Sequence, residues 1–270
     1  VVRERVAEAL GTLGRAEAAP LLEIVLIADA VPAVRAMAAE ALGKVGGRDA
    51  VPALVAALRD ANPNVRWSAS GALGNTRSKR AVPSLINLLE DADAGLRGRV
   101  AESLGRLADK SAIEPLAHAL RDPDQEVRWR VADALSGMRG PRVTEILCRT
   151  IKDADPGVRW RAASALGNMG KRHPNAVDAL ILALQDTDAN VRAHAAESLG
   201  KLGSARSLPA LRQLSSDTAE TKFLGTVADT AWVAIKNYAW PGNIRELEHR
   251  IERAVVVAET PLLTAGDLGF

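Results

Sequence analysis

The chain has 270 residues, 47% hydrophobic and 25% charged, which is enough apolar material to bury a large core. Aromatic residues make up only 3%, so the core must consist of Leu, Val, Ile and Ala, a composition that suits packed helices better than a β-sandwich. The net charge of +2 is too even to imply nucleic acid, and the single cysteine, Cys148, excludes a disulfide framework and a Cys-rich zinc site. One thiol fits a reducing cytoplasm, the expected location. No apolar run nears the roughly 20 residues that span a bilayer, and no signal peptide is visible. The start at Val1, in mid-pattern and without Met, predicts a fragment or a processed form.

The phrase V-R-x-x-A-A-x-A-L-G recurs from the first residues onward. Its arginines are Arg3, Arg35, Arg66, Arg97, Arg128, Arg159 and Arg192, spaced 32, 31, 31, 31, 31 and 33 residues apart. Seven residues after each comes a leucine, from Leu10 to Leu199, and glycine follows six of these, Ser136 being the exception. Each unit reads as two helices. The V-R helix gathers residues such as Val65, Ala69, Ala72 and Leu73 on one face. The glycine serves either close packing or a C-terminal cap. The second helix carries Val51-Pro52-Ala53-Leu54 and Val82-Pro83-Ser84-Leu85, with proline in the first turn, where its missing N–H costs nothing. A unit this short cannot bury its own apolar face, so the copies must stack.

Acidic residues mark the turns. Asp29, Asp60, Asp91, Asp122, Asp153 and Asp186 lie six before an arginine, and Asn62, Asp93, Asp124, Asp155 and Asp188 lie four before it. D-x-D spacing is compatible with calcium or magnesium, but N-caps and an Asp–Arg ladder between units explain it better, and no metal is expected.

The D-x-D-x-x-V-R-x-x-A-A-x-A-L-G phrase resembles the HEAT-like repeats of the phycobilisome lyase type, over roughly residues 1–217. The resemblance implies an all-α, α-α superhelical solenoid of seven units whose usual task is to bind another molecule, although some relatives are enzymes or chromophore lyases. It also implies that the positions beside the repeated arginine line a concave surface. Residues one, two, five and nine after the arginine point away from the aliphatic stripe, at about 100°, 200°, 140° and 180° around the helix. Trp67, Trp129 and Trp160 occupy the first of these, and Arg99, Arg130, Arg161 and His194 the second; Glu102, Asp133 and Glu197 at the fifth make the strip amphoteric. Trp129 should neighbour Trp160, and the three arginines should form a row. Trp and Arg are enriched in binding hot spots, so these seven residues are the candidate partner-binding set. The competing reading is structural: each Trp lies along its neighbour unit and stacks on Arg.

No catalytic constellation is present. His118, His173, His194 and His249 are scattered, with none of the His-Glu pairs that supply the ligands in the di-iron hydroxylase branch of the HEAT-like proteins. Gly170-Lys171 lacks phosphate-loop spacing, and Cys148 reads as a packed residue. A chain without enzymatic activity and without a cofactor is therefore expected.

Past Asp217 the register fails. Residues 224–238 still read as a helix; a turn-rich break and a second amphipathic helix over 244–258 follow. The string W-P-G-N-I-R-E-L-E-H-R-I-E-R-A-V, residues 240–255, resembles the helical lid of the AAA+ module in sigma-54-dependent transcriptional activators, with a match over roughly 222–270. In that family the arginine matching Arg245 senses nucleotide, but this chain has no Walker motifs to hold one. The expectation is a solenoid over 1–217, and over 218–270 a helical segment resembling the lid and capping the last face. A non-catalytic scaffold for a protein or peptide is the leading expectation, with neither nucleic acid nor membrane as partner. The alternatives are a regulatory fragment of a sigma-54-type activator and a lyase-like enzyme acting on a bound chromophore.

Overall fold

The computed structural model describes residues 2–169, 173–221 and 224–236. Among these the regular structure is helical, in pairs along the chain: α1 (Val2–Leu13) and α2 (Ala19–Ala28), α3 (Pro32–Val45) and α4 (Val51–Ala57), α5 (Pro63–Asn75) and α6 (Val82–Ile86). Then come α7 (Ala94–Leu107) and α8 (Ile113–Ala119), α9 (Gln125–Ser136) and α10 (Pro141–Thr150), and α11 (Pro156–Gly167) with α12 (Pro174–Ala183). The last are α13 (Ala189–Leu202), α14 (Leu208–Gln213) and α15 (Val227–Lys236). The odd-numbered helices, of which α1 to α13 carry the V-R phrase, lie side by side in one layer; the even-numbered ones form a second layer on it. The repeated leucine sits between the layers. Leu42, Leu73, Leu104, Leu135 and Leu166 are fully buried, each stabilising the stack by about 1.5–3 kcal/mol.

The Asp-x-Asp turns are caps and cross-links. Asp93, Asp124, Asp155 and Asp188 accept hydrogen bonds from the first-turn N–H groups of their V-R helices, and Asn62 does the same on α5. The preceding aspartates accept from the backbone two residues on, as Asp60 does from Asn62 N–H at 2.9 Å. Each also receives the arginine of the preceding unit. Arg35 meets Asp60 at 2.8 Å, Arg97 meets Asp122 at 2.7 Å, Arg159 meets Asp186 at 2.7 Å and Arg192 meets Asp217 at 2.7 Å. The contacts of Arg128 with Asp153, 3.4 Å, and of Arg66 with Asp91, 4.0 Å, are longer. The same arginine reaches back to its own turn, as Arg97 Nη1 does to the Asp91 carbonyl at 2.8 Å. One guanidinium thus ties two successive turns, and its planar fork suits that double task better than an ammonium.

The repeated glycine is a packing residue inside the helix. A Cβ on Gly43 would lie 2.7 Å from the Ala72 Cα, on Gly105 2.6 Å from the Ala134 Cα, and on Gly74 and Gly167 under 3 Å from Ser103 and Ser198. The V-R helices therefore touch backbone to backbone. Gly200 makes the same approach to Ala234, 2.8 Å from its Cα, which places α15 beside α13 as an eighth helix of the layer. In that register Val227, Ala231, Ala234 and Ile235 take the buried positions of the repeat, while Ala228 stands where the arginine would be. The helix expected over 224–238 is thus observed over Val227–Lys236, and Thr226 caps it: its hydroxyl accepts from the Asp229 N–H at 3.1 Å, while the Asp229 carboxylate accepts back from the Thr226 N–H at 3.2 Å. The expected helix over 244–258, Arg245 and the rest of the lid-like string lie outside the described residues.

Candidate partner-binding strip

On the V-R helices the side chains one and two after the arginine leave the layer on the side away from the second layer. The helices are staggered so that the second of these in one unit covers the first of these in the unit before. The Arg99 guanidinium lies 4.3 Å from the centre of the Trp67 ring. Arg161 lies 4.9 Å from the Trp129 ring and 4.2 Å from that of Trp160, so it is held between two indoles from successive units. Trp160 then stacks on His194, centroids 4.7 Å apart and planes 20° apart. Trp129, Arg161, Trp160 and His194 form one continuous pile of flat groups over three units. Trp67 and Arg99 form a shorter one. Between them Gly98 holds the Trp position of its unit, and Arg130 lies down on it, its Cδ 2.6 Å from where a Cβ would be.

Acidic groups stitch the strip together. Glu102 takes Arg99 at 3.0 Å and Arg130 at 3.7 Å, and also pairs with Arg106. Arg130 reaches Glu126 at 2.6 Å, and Arg161 reaches Asp133 at 3.2 Å. The Trp129 indole N–H donates to the Asp155 carboxylate at 2.6 Å. The expected row of arginines is therefore a row of guanidinium–carboxylate contacts, with Arg99 and Arg130 sharing Glu102. Trp129 and Trp160 are neighbours through Arg161. A groove of about 550 Å³ opens along α7 and α9, bordered by Glu102, Arg106, Glu126, Trp129, Arg130 and Asp133. Trp67 is 39% exposed, whereas His194 is only 9% exposed, so the imidazole supports Trp160 more than it meets solvent. Burial pushes the His194 pKa down against the pull of Glu197, whose carboxylate is 3.5 Å from Nδ1. Glu126 and Arg106 were not singled out from the sequence, and Asp155 was read there as an N-cap, not as a partner of Trp129. The first two are four residues from a strip residue on the same helix, a spacing that signals a salt bridge and could have found them.

Among the described residues no group of His, Cys, Asp and Glu is arranged to hold a metal ion, and no helix is long and apolar enough to cross a membrane. HEAT repeats match residues 23–95, 82–154 and 146–223, and the PBS lyase HEAT-like repeat matches 2–27. The chain belongs to the HEAT repeat family. An AAA+ ATPase lid domain matches residues 211–270, so the match begins in α14 and takes in α15. The CpcE and CpcF complex of phycocyanin lyase from Nostoc sp. PCC7120 resembles it at 27% identity, with 81% of this chain and 86% of that chain covered and a TM-score of 0.52. The HEAT-like repeats protein of Thermococcus onnurineus NA1 shares the fold at 13% identity and a TM-score of 0.56, covering 82% of this chain and 98% of that one. The alginate biosynthesis transcriptional regulatory protein AlgB of Pseudomonas syringae pv. tomato is 37% identical over 76 residues, 23% of this chain, and the chain spans 17% of that protein's length. These findings correct one expectation. The absence of a catalytic motif does not make the chain a non-enzyme, because a structure it resembles over most of its length is that of a lyase complex.

Proposed function

We propose that the chain works in a lyase-type reaction as the solenoid that grips a protein partner and holds a flat, conjugated group on its Trp–Arg strip. The carrying observation is the pile of Trp129, Arg161, Trp160 and His194 beside an open groove with guanidinium groups on its border. Flat faces accept a conjugated ring system by stacking, and Arg106 and Arg130 offer forked donors to carboxylates on it. The resemblance to phycocyanin lyase supports this reading over a plain scaffold. The same amphoteric border suits a protein surface of mixed charge better than the uniformly anionic backbone of nucleic acid. In a titration with an open-chain tetrapyrrole such as biliverdin, tryptophan fluorescence should be quenched at saturation. Trp129→Ala/Trp160→Ala should weaken binding about tenfold or more, through loss of the Trp129 face and of the pile that holds it in place, with the far-ultraviolet helical spectrum unchanged. Wild-type binding that survives the double substitution would sink the assignment of the strip. Collapse of the helical spectrum would favour the structural reading of the two indoles.

A second reading rests on the lid match and the AlgB similarity. In it residues 211–270 dock against an intact ATPase of the sigma-54 activator type and regulate it. Addition of the full chain to such an ATPase would then change its hydrolysis rate, whatever happens at the strip.

A further inference from the structure

The net charge of +2 hides a segregated distribution. The V-R helices run side by side, so the turns that leave them lie along one edge of the stack and the Asp-x-Asp turns along the other. The turns 43–50, 74–81, 105–112, 136–143, 167–174 and 200–207 hold thirteen Lys and Arg against two acids, Asp49 and Asp109. At the other edge, the six eight-residue turns that end on the repeated arginines Arg35 to Arg192 hold nine cations and twelve acids, and the ladder pairs many of these. Successive turns of the basic edge touch: Lys79 meets Asp109 at 3.2 Å, and Arg106 donates to the Asn75 side-chain carbonyl at 2.9 Å. All eleven of its cations that fall among the described residues are exposed. Lys79, Arg106, Arg142, Lys201 and Arg206 pair with carboxylates. Lys44, Arg48, Arg77, Arg80, Lys110 and Arg139 have no carboxylate partner among the described residues.

The fold does not need this excess. The V-R helices end at this edge and the second-layer helices begin there, so the charges of their termini oppose one another and call for neither sign. Arg77 even costs the turn something. Its φ is 54°, in the left-handed region that Gly47 and Gly203 occupy in two other units. An arginine kept at a glycine position points to a use outside the fold. Charge density selects the partner. Units stand about 9 Å apart, so the six free cations spread over about 30–40 Å, whereas a nucleic-acid duplex offers one charge per ~1.7 Å. Asp49, Asp109 and Glu114 interrupt the edge and would repel a continuous phosphate backbone. These turns contain no Trp, Tyr or Phe on which a base could stack, and none of the exposed large hydrophobic side chains that would enter a lipid surface. Spaced cations with interleaved acids instead match the scattered carboxylates of a folded protein. The groove of the Trp–Arg strip reaches the same edge, since Gly105, Arg106, Ser136 and Gly137 of two turns line it. We propose that the basic edge docks the acidic face of a protein, and that this protein is the partner gripped beside the groove. Its role as that partner rests on the lyase-type reading; its charge does not.

The test uses the full chain with fluorescein-labelled poly-L-glutamate as the acidic probe, followed by anisotropy. Binding should weaken steeply with added NaCl. Arg48→Glu/Arg80→Glu/Arg139→Glu should weaken it about tenfold or more. Arg59→Glu/Arg121→Glu/Lys152→Glu, at three exposed cations of the opposite edge, should change it less than about twofold. Both triple variants should keep the wild-type helical spectrum and tetrapyrrole titration, so failure of the edge and failure of the strip are read separately. Arg77→Gly should weaken probe binding about twofold without lowering the thermal midpoint. Absence of salt-sensitive binding, or equal loss in the two triple variants, overturns the proposal. So does tighter binding of a DNA duplex of equal charge through Arg48, Arg80 and Arg139, which would assign the edge to phosphate.

Discussion

Arg97 shows how much one side chain does in this molecule. It is 13% exposed and its partner Asp122 6%, and it also satisfies the Asp91 carbonyl of its own turn. Removing it leaves a carboxylate and a carbonyl in a half-dry turn, so Arg97→Ala should lower the unfolding free energy by about 3 kcal/mol in urea titration. Arg97→Lys should restore only part of this, because an ammonium cannot span both acceptors. The ladder also fixes the response to acid. The Arg35 guanidinium holds the Asp60 carboxyl below the usual carboxylate range, and Arg192 does the same for Asp217. Burial would raise Asp122, but Arg97 and the neighbouring N–H outweigh it and the net direction is down. A folded-state value below the unfolded one, about 3.9, means the stabilisation is complete above that pH and is lost as the pH falls through the folded-state value. The urea midpoint should therefore hold between about pH 7 and 5 and fall below about pH 4; a midpoint that rises on acidification would contradict the ladder. These contacts were legible because they recur: an Asp and an Arg at fixed offsets in every unit announce their pairing. The partners of the strip were less so. That Arg161 inserts between Trp129 and Trp160, or that Trp129 donates to Asp155, depends on the stagger between helices, which periodicity within one helix does not carry.

The helix pair was readable because its signals are local. Proline in the first turn, Asp or Asn ahead of each V-R helix and the apolar stripe each specify a boundary or a face. The repeated glycine was ambiguous, since a cap and a close contact both want the smallest residue, and only the neighbouring helix decides. Gly105→Ala should cost about 1–3 kcal/mol in urea, because the new methyl meets backbone that cannot turn aside. A substitution without effect would show that the layer has room to spare. The second layer was drawn more simply than it is. Several of its helices enter through a 3₁₀ turn, as at Lys79–Ala81 and Lys110–Ala112, which the proline signal does not reveal. The role of α15 was hidden for the opposite reason. It has the buried side of a V-R helix, but Ala228 and Lys236 stand where the arginine and glycine would identify it.

Among the described residues nearly all packing is between neighbouring helices, so disturbance should stay near its source. Gly200→Val pushes a branched side chain at the Ala234 backbone and should detach α15 alone. Hydrogen exchange should quicken in α15 and on the facing side of α13, with α3 to α9 unchanged; a rise throughout would mean that the stack unfolds as one body. The glycine contacts have one more consequence. At each of them the two helices come too close for a Cβ, so neighbours fit in one axial register, as the teeth of a rack do. A single missing methyl group per unit thus fixes which residues of successive units meet, and with it the order of the indole pile. Ser136 is the one departure, at the edge of the groove beside Trp129.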